Sequence, residues 1–165
     1  MSPSRRGQSQ EHQSEVSRYD YPVATVLIAS DLVSLRQELR SMLEGPDLDI
    51  LEVATGPAVR AAVAAQQIDL AILDLQIGAM GAMAICLDLR HEESYGAAPH
   101  VPVLMLLDRR PDVFLARRSG AEGFVVKPLD PLRVRRAVRA LLRGEGYEDD
   151  AWRPATVRVA APTPQ

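Results

Sequence analysis

Five short apolar runs alternate with five helix-like segments, and this alternation constrains the fold more than any other feature of the chain. The runs lie at 24–30, 48–54, 68–73, 101–107 and 123–126. The segments between them have the apolar spacing or the composition of helices. Strands that alternate with helices are joined by right-handed crossovers into a parallel sheet with helices on both faces. The sequence therefore predicts an α/β fold, a doubly wound five-stranded parallel sheet.

Segments without hydrophobic periodicity flank this core on both sides. Residues 1–22 are polar and of mixed charge, which is typical of a disordered N-terminal tail. Residues 145–165 follow the last helical segment and are expected to form a flexible C-terminal tail. Residues 23–144 remain as a single domain, which is long enough to bury one hydrophobic core.

Composition and cysteine content exclude several classes of protein. No stretch approaches the roughly 18 apolar residues of a membrane span, and the N-terminus lacks the apolar region of a signal peptide. The single cysteine, Cys86, excludes an internal disulfide, so we expect a cytoplasmic protein. Cys86 lies in an apolar run and is interpreted as a buried structural thiol. A net charge of -3 gives no reason to expect bulk attraction to nucleic acid.

Three charged side chains follow strands whose carboxyl ends meet at one edge of the predicted sheet. Asp31 follows the first strand, Asp74 the third and Lys127 the fifth. Two carboxylates can share Mg²⁺, a lysine can neutralise a phosphoryl oxygen, and an aspartate so placed can act as a nucleophile toward phosphorus. Alternatively, Asp31 caps a helix and Lys127 pairs with a carboxylate. Spacing alone leaves both interpretations open.

Four motifs at these strand ends resemble the receiver domain of bacterial two-component response regulators. They are VLIASD at 26–31, DLAILDLQIGAM at 69–80, VPVLMLL at 101–107 and GAEGFVVKPLD at 120–130. The last is the most specific, because it carries a Lys-Pro pair directly after a glycine-aromatic-apolar run. The resemblance covers residues 23–144 and implies a flavodoxin-like fold of five βα units.

The resemblance also implies a function and a set of site residues. A histidine kinase would donate a phosphoryl group to Asp74 in a phosphorelay, and the protein would not be an enzyme. Asp31, Asp74 and the backbone carbonyl of Gln76 would hold Mg²⁺, and Lys127 would contact the phosphoryl group. The Lys127–Pro128 bond is expected to be cis, as is common in this family.

Several positions depart from the family pattern. Ser30 stands where receivers usually have a second acidic residue, which predicts weak Mg²⁺ binding. Leu107 replaces the usual Thr or Ser, and Asp108 replaces a small residue. Phe124 occupies the position of the switch aromatic and lacks a tyrosine hydroxyl, while Gly78 replaces a loop proline. These changes predict an atypical receiver.

The departures leave two functions open. The chain is either a phosphorylated single-domain response regulator or a receiver-like interaction module that works without phosphorylation. An aspartate-nucleophile phosphatase is disfavoured, because Gln76 stands where its second acid would be. Dinucleotide binding is disfavoured too, because Gly78 and Gly81 lack the G-x-G-x-x-G spacing and follow the third strand rather than the first.

A basic segment extends from Arg109 to Arg143. It holds nine arginines and Lys127 against three acidic residues, an excess of seven positive charges. It is either a solvated surface or a partner surface onto which an acidic partner, or the acidic stretch 148–150, could dock. Because receivers often dimerise here, we expect a homodimer through the fourth helix, the fifth strand and the fifth helix. Direct DNA binding is not expected, since no helix-turn-helix follows Arg143.

Overall fold

All the predicted strands lie in one parallel sheet in a computed structural model, which describes residues 23–150 of the chain. The strands are β1 (Ala24–Ala29), β2 (Leu48–Val53), β3 (Leu70–Asp74), β4 (Val103–Leu107), β5 (Gly123–Val126) and β6 (Tyr147–Glu148). Their spatial order is β2-β1-β3-β4-β5-β6, and every neighbouring pair is parallel. The doubly wound α/β prediction is confirmed, with one strand more than expected.

The helices cover both faces of the sheet and divide the core into two clusters. They are α1 (Val33–Leu43), α2 (Gly56–Ala65), α3 (Ala82–Ser94), α4 (Val113–Ser119) and α5 (Pro131–Leu142), with a 3₁₀ turn at Arg110–Asp112 before α4. Side chains of α2, α3 and α4 pack on one face of the sheet, and those of α1 and α5 on the other. Because β1 and β3 are neighbours while the helices that follow them cover opposite faces, their carboxyl ends form the topological switch point, where ligands of such folds bind.

The additional strand β6 comes from the segment predicted to be a flexible tail. Tyr147 and Glu148 pair with Gly123 and Phe124 of β5. A Cβ atom at position 123 would lie 2.8 Å from the carbonyl oxygen of Tyr147, so glycine is what permits this close approach. The tail prediction is therefore wrong for residues 147–148, because two residues are too few to show strand periodicity. The predicted N-terminal tail, 1–22, and residues 151–165 lie outside the described residues.

Two further expectations concern Cys86 and the membrane. Cys86 is fully buried, and its thiol donates a hydrogen bond to the carbonyl of Ser119 at 3.3 Å. Burial raises the pKa of this thiol, so it has the properties of a structural residue, as predicted. Among the helices of residues 23–150, none has the length and apolar character needed to cross a bilayer.

Candidate functional site

Asp74, the last residue of β3, is completely buried and held by two donors. The Lys127 ammonium lies 2.7 Å from Oδ1, and the Ser30 hydroxyl donates to Oδ2 at 2.8 Å. A buried carboxylate is tolerated only where such partners compensate its charge. The strand ends predicted from the sequence therefore bring Asp74 and Lys127 into direct contact.

Ser30 has a defined role that the sequence did not reveal. Its Oγ accepts a hydrogen bond from the backbone N–H of Leu32 at 3.1 Å, and this contact directs the hydroxyl proton toward Asp74. From the sequence, Ser30 counted only as a lost carboxylate. In the structure it is a neutral donor that fixes one oxygen of Asp74.

Asp31 lies beside the loop that follows Asp74. The capping interpretation of Asp31 is wrong, because α1 begins at Val33 with Leu32 as its N-cap and has no side-chain cap. The exposed Asp31 carboxylate makes no hydrogen bond or ion pair within residues 23–150. A Cβ atom at Gly78 would lie 3.1 Å from Asp31 Oδ2, so the loop passes directly against this carboxylate. Asp31 is therefore available to a ligand at the same edge of the sheet.

Lys127 is shared between two carboxylates. Its ammonium lies 2.9 Å from Asp108 Oδ1 as well as 2.7 Å from Asp74 Oδ1. Burial alone would lower the pKa of Lys127, but the hydrogen bonds to Asp108 and Asp74 outweigh burial and raise it. Asp108 Oδ2 is buried and has no hydrogen-bond partner in the described part of the chain. The peptide bond between Lys127 and Pro128 is cis, as expected.

The oxygen donors at this edge suit a weakly held hard cation. Asp31 offers an unpaired carboxylate, Asp74 offers Oδ2, and Gln76 is exposed in the adjoining loop. Mg²⁺ prefers such oxygen ligands and keeps several waters. Within residues 23–150, however, no cluster of three or more acidic, histidine or cysteine side chains is arranged to hold a metal. The oxygen atoms of these residues are of the kind that Mg²⁺ binds, but only two of the ligands, Asp31 and Asp74, would be charged.

Leu107 and Phe124, at which the sequence lacks the hydroxyl groups usual in the family, belong to the core. Leu107 ends β4, and Phe124 lies in β5; both are buried in the apolar cluster under α2, α3 and α4. Val113, the first residue of α4, packs in the same cluster. Neither the Leu107 nor the Phe124 side chain carries a hydrogen-bond donor. The side chains of Leu107, Phe124 and Val113, between the strands and α4, are therefore packed apolar groups.

On the other side of Lys127, two charged residues hold the backbone. Arg133 of α5 donates to the carbonyl oxygens of Val126 and Pro128 at 3.4 and 2.7 Å. Asp149, just after β6, accepts from the backbone N–H of Val126 at 3.0 Å and forms an ion pair with Arg133. The sequence predicted no role at the site for either residue, because Arg133 lies on a basic helix and Asp149 lay in a predicted tail.

The basic segment is partly neutralised within the chain. Ion pairs join Arg109 to Asp112, Arg117 to Glu148, Arg133 to Asp149 and Arg143 to Glu145. Two of the acidic partners come from the stretch 148–150, so this stretch docks on the basic segment, as one of the sequence interpretations anticipated. The surface is an intramolecular interface at these positions.

The chain is similar to known proteins of one family. A family model described as the response regulator receiver domain matches residues 26–151. An uncharacterized response regulatory protein of Mycobacterium tuberculosis is 38% identical over 128 residues, which are 74% of this chain and 93% of that protein. The DNA-binding response regulator MtrA of M. tuberculosis is 32% identical over 120 residues, covering 72% of this chain and 50% of MtrA.

Solved structures show the same fold. The chemotaxis response regulator CheY4 of Vibrio cholerae has a TM-score of 0.64 at 23% identity, covering 72% of this chain and 98% of that one. The signal receiver domain of NarL from M. tuberculosis has a TM-score of 0.67 at 23% identity, covering 75% of this chain and 99% of that one. With the family match over most of the described residues, the chain belongs to the response regulator receiver domain family of two-component signal transduction.

Proposed function

We propose that this chain is an atypical single-domain response regulator that accepts a phosphoryl group at Asp74 from a histidine kinase. The observation that carries the proposal is the buried Asp74 carboxylate with the Lys127 ammonium 2.7 Å away. A nucleophilic carboxylate needs a fixed position and a nearby cation to offset the charge of the incoming phosphoryl group. Both are present at the carboxyl edge of the sheet, where ligands of such folds bind.

The transfer step uses these residues as follows. An Asp74 oxygen attacks phosphorus, the new O–P bond forms, and the N–P bond of the donor phosphohistidine breaks. The imidazole leaves with the electron pair of that bond, so phosphorus exchanges one ligand for another. Lys127 remains protonated and neutralises a phosphoryl oxygen, while Ser30 orients the carboxylate through its hydrogen bond to Oδ2.

We propose that Mg²⁺ supports this step and that Asp31, Asp74 and the backbone carbonyl of Gln76 would hold it. The cation would supply charge neutralisation at the phosphoryl oxygens. With two carboxylates rather than three, we expect weak binding. Titration with Mg²⁺, followed by amide NMR shifts around position 31, should show saturation in the wild type and a much weaker response in Asp31→Asn. Equal responses would remove Asp31 from the site.

A phosphodonor experiment tests the acceptor itself. Wild type and Asp74→Asn are incubated with acetyl phosphate and Mg²⁺ and separated on a phosphate-affinity gel. We expect a retarded band in the wild type that is absent in the variant, because asparagine lacks the nucleophilic oxygen. A wild type without any retarded band would contradict the proposal.

The second candidate is an interaction module that does not need phosphorylation. It is favoured by a specific observation: Asp108 already occupies Lys127, while Leu107 and Phe124 offer no hydroxyl to report a phosphoryl group. If beryllofluoride with Mg²⁺ fails to bind the wild type but a partner protein binds equally to wild type and Asp74→Asn, this second function is correct.

We further propose that the protein is cytoplasmic, forms a homodimer through α4, β5 and α5, and acts without binding DNA directly. Support for the dimer is the exposed arginine-bearing surface of α5 and the exposed Phe114 of α4. Strand β6 covers the free edge of β5, so the contact would include β6 as well. Light scattering at tens of micromolar should give twice the 18.1 kDa chain mass. A monomeric mass would overturn the dimer.

A further inference from the structure

Arg133 and Asp149, which we call the C-terminal clamp, hold the backbone on both sides of Lys127. Arg133 binds the carbonyl oxygens of Val126 and Pro128, the two residues that flank Lys127 in the chain. Asp149 binds the N–H of Val126. The backbone N–H of Lys127 itself donates to the carbonyl of Leu107 at 2.8 Å. The backbone of Lys127 is therefore held by polar contacts on either side of the residue, while its ammonium contacts Asp74 and Asp108.

Asp149 is held in place by the structure around it. Its side chain is 2% exposed, and the ion pair with Arg133 compensates its charge. The preceding residues pair with β5, and the Glu148 carboxylate forms a bidentate pair with Arg117 of α4 at 2.9 and 2.8 Å. A buried, charged side chain at the end of an ordered strand is a fixed structural element rather than a surface group.

We propose that Arg133 and Asp149 are positioning residues for Lys127, so that the C-terminal strand controls how well the site accepts a phosphoryl group at Asp74. The effect on phosphoryl uptake rests on the proposed function, whereas the placement of Lys127 does not. Small displacements of a charge-stabilising group weaken its interaction with a reacting phosphoryl group steeply. Coupling is reciprocal, so occupation of the site also stabilises the docked β6.

The sequence provides a direct probe of this placement, because Lys127 is the only lysine in the chain. Labelling with [ε-¹³C]lysine therefore gives a single side-chain NMR signal. This signal reports the environment of Lys127, and no phosphodonor has to be added to observe it. We expect Asp149→Ala and Arg133→Gln to move this signal toward the free-lysine position, and Asp149→Asn to move it less, because asparagine still accepts from Val126. The matched controls Glu145→Gln and Arg136→Gln carry the same charge changes on the same segments and should leave the signal unchanged.

Binding of beryllofluoride in Mg²⁺ then tests the consequence for the acceptor site. We expect Asp149→Ala to weaken binding about tenfold and Asp149→Asn about threefold, with both controls close to wild type. Thermal unfolding shows that each variant is folded at the temperature of the measurement. Clamp variants whose lysine signal coincides with that of the wild type would overturn the positioning role. If the lysine signal moves in the clamp variants but beryllofluoride binds neither the wild type nor any variant, the positioning role stands and the proposed function fails.

Discussion

The two sides of Lys127 differ in what they offer to a phosphoryl group. On the side of β1 and β3, both oxygens of the Asp74 carboxylate have a polar partner. The Lys127 ammonium contacts Oδ1, and the Ser30 hydroxyl donates to Oδ2. Toward β4, the corresponding positions carry Leu107, which is buried in the core, and Asp108, a second anion on the same ammonium. Under the proposed function, acceptance of the phosphoryl group would depend on β1, β3 and β5, whereas a hydroxyl that reports it would have to come from β4 or β5. The carboxylate and its partners are present on the first side, and the second side offers an apolar side chain and a second anion.

The largest expected effect comes from removing the cation that both sides share. Lys127→Met leaves the fully buried Asp74 without a counter-charge, and we expect a loss of about 3 kcal/mol in the free energy of unfolding. Urea denaturation at neutral pH measures this loss. The double variant Lys127→Met/Asp74→Asn should recover most of the stability, since position 74 then no longer carries a buried charge. A single variant as stable as the wild type would mean that the buried Asp74 does not depend on Lys127 for its stability in the fold.

The apolar side of the comparison is tested by a hydroxyl at position 107. Leu107→Thr should destabilise by about 2–4 kcal/mol, because it leaves a cavity and buries a hydroxyl in an apolar cluster. Leu107→Val is the matched control, since valine has nearly the shape of threonine without the oxygen. Chemical denaturation of both variants isolates the cost of the hydroxyl. If the threonine variant equals the valine variant, the hydroxyl finds a partner at the strand ends, and the two sides differ less than proposed.

Asp108 tests the repulsion on the β4 side. The Asp74 and Asp108 oxygens on Lys127 are less than about 6 Å apart, so a phosphoryl group on Asp74 would face a nearby like charge. Because Asp108 is partly solvated, we expect Asp108→Asn to strengthen beryllofluoride binding by about tenfold rather than more. Asp49→Asn, an exposed residue of β2, provides a control for the change in net charge. Weaker binding in Asp108→Asn would show that Asp108 assists the site.

The smallest effect is a difference in stability at alkaline pH. The pKa of Lys127 is higher in the folded protein than in the unfolded chain, where it is near 10.4. The stability that protonated Lys127 contributes is therefore fully present below about pH 10.4 and is lost as pH rises through the pKa of the folded protein. Asp108→Asn removes one cause of that rise. The stability difference between wild type and variant, from urea unfolding between pH 8 and 12, should therefore shift in favour of the variant above about pH 10.4. Tyrosines titrate in both proteins and cancel in the difference. A constant difference would show that Asp108 leaves the pKa of Lys127 unchanged.

Local hydrophobic patterns in the sequence were enough to predict much of the fold. The apolar runs of β1, β3 and β4 are buried on both faces, and such strands show as continuous hydrophobic segments in a sequence. The N-terminus of α5 was also readable, because Asp130 caps it and Pro131 begins it. The sequence did not indicate the 3₁₀ turn before α4 or the extension of α3 to Ser94, because the ends of helices depend on the loops that adjoin them.

Long-range contacts account for what the sequence reading of the site missed. Ser30 and Asp74 are 44 positions apart, and the hydrogen bond between them exists only because β1 and β3 are neighbours. Asp108 was recognised as an added charge, but its sharing of Lys127 depends on the distance between β4 and β5. The clamp residues Arg133 and Asp149 gave no periodic signal, because one lies on a basic helix and the other follows a two-residue strand.

Hydrophobic patterning alone was enough to predict the order of strands and helices along the chain and the burial of their apolar faces. It also predicted that Asp31, Asp74 and Lys127 come to one edge of the sheet. These follow from hydrophobic periodicity and from the handedness of parallel crossovers, which are local rules. The pairing of groups at this edge depends on the three-dimensional packing: Ser30 pairs with Asp74, Lys127 with both Asp74 and Asp108, and Asp149 with the backbone of Val126. Hydrogen bonds and ion pairs act over about 3 Å, and such distances between residues remote in the chain are set by the packing of the whole domain.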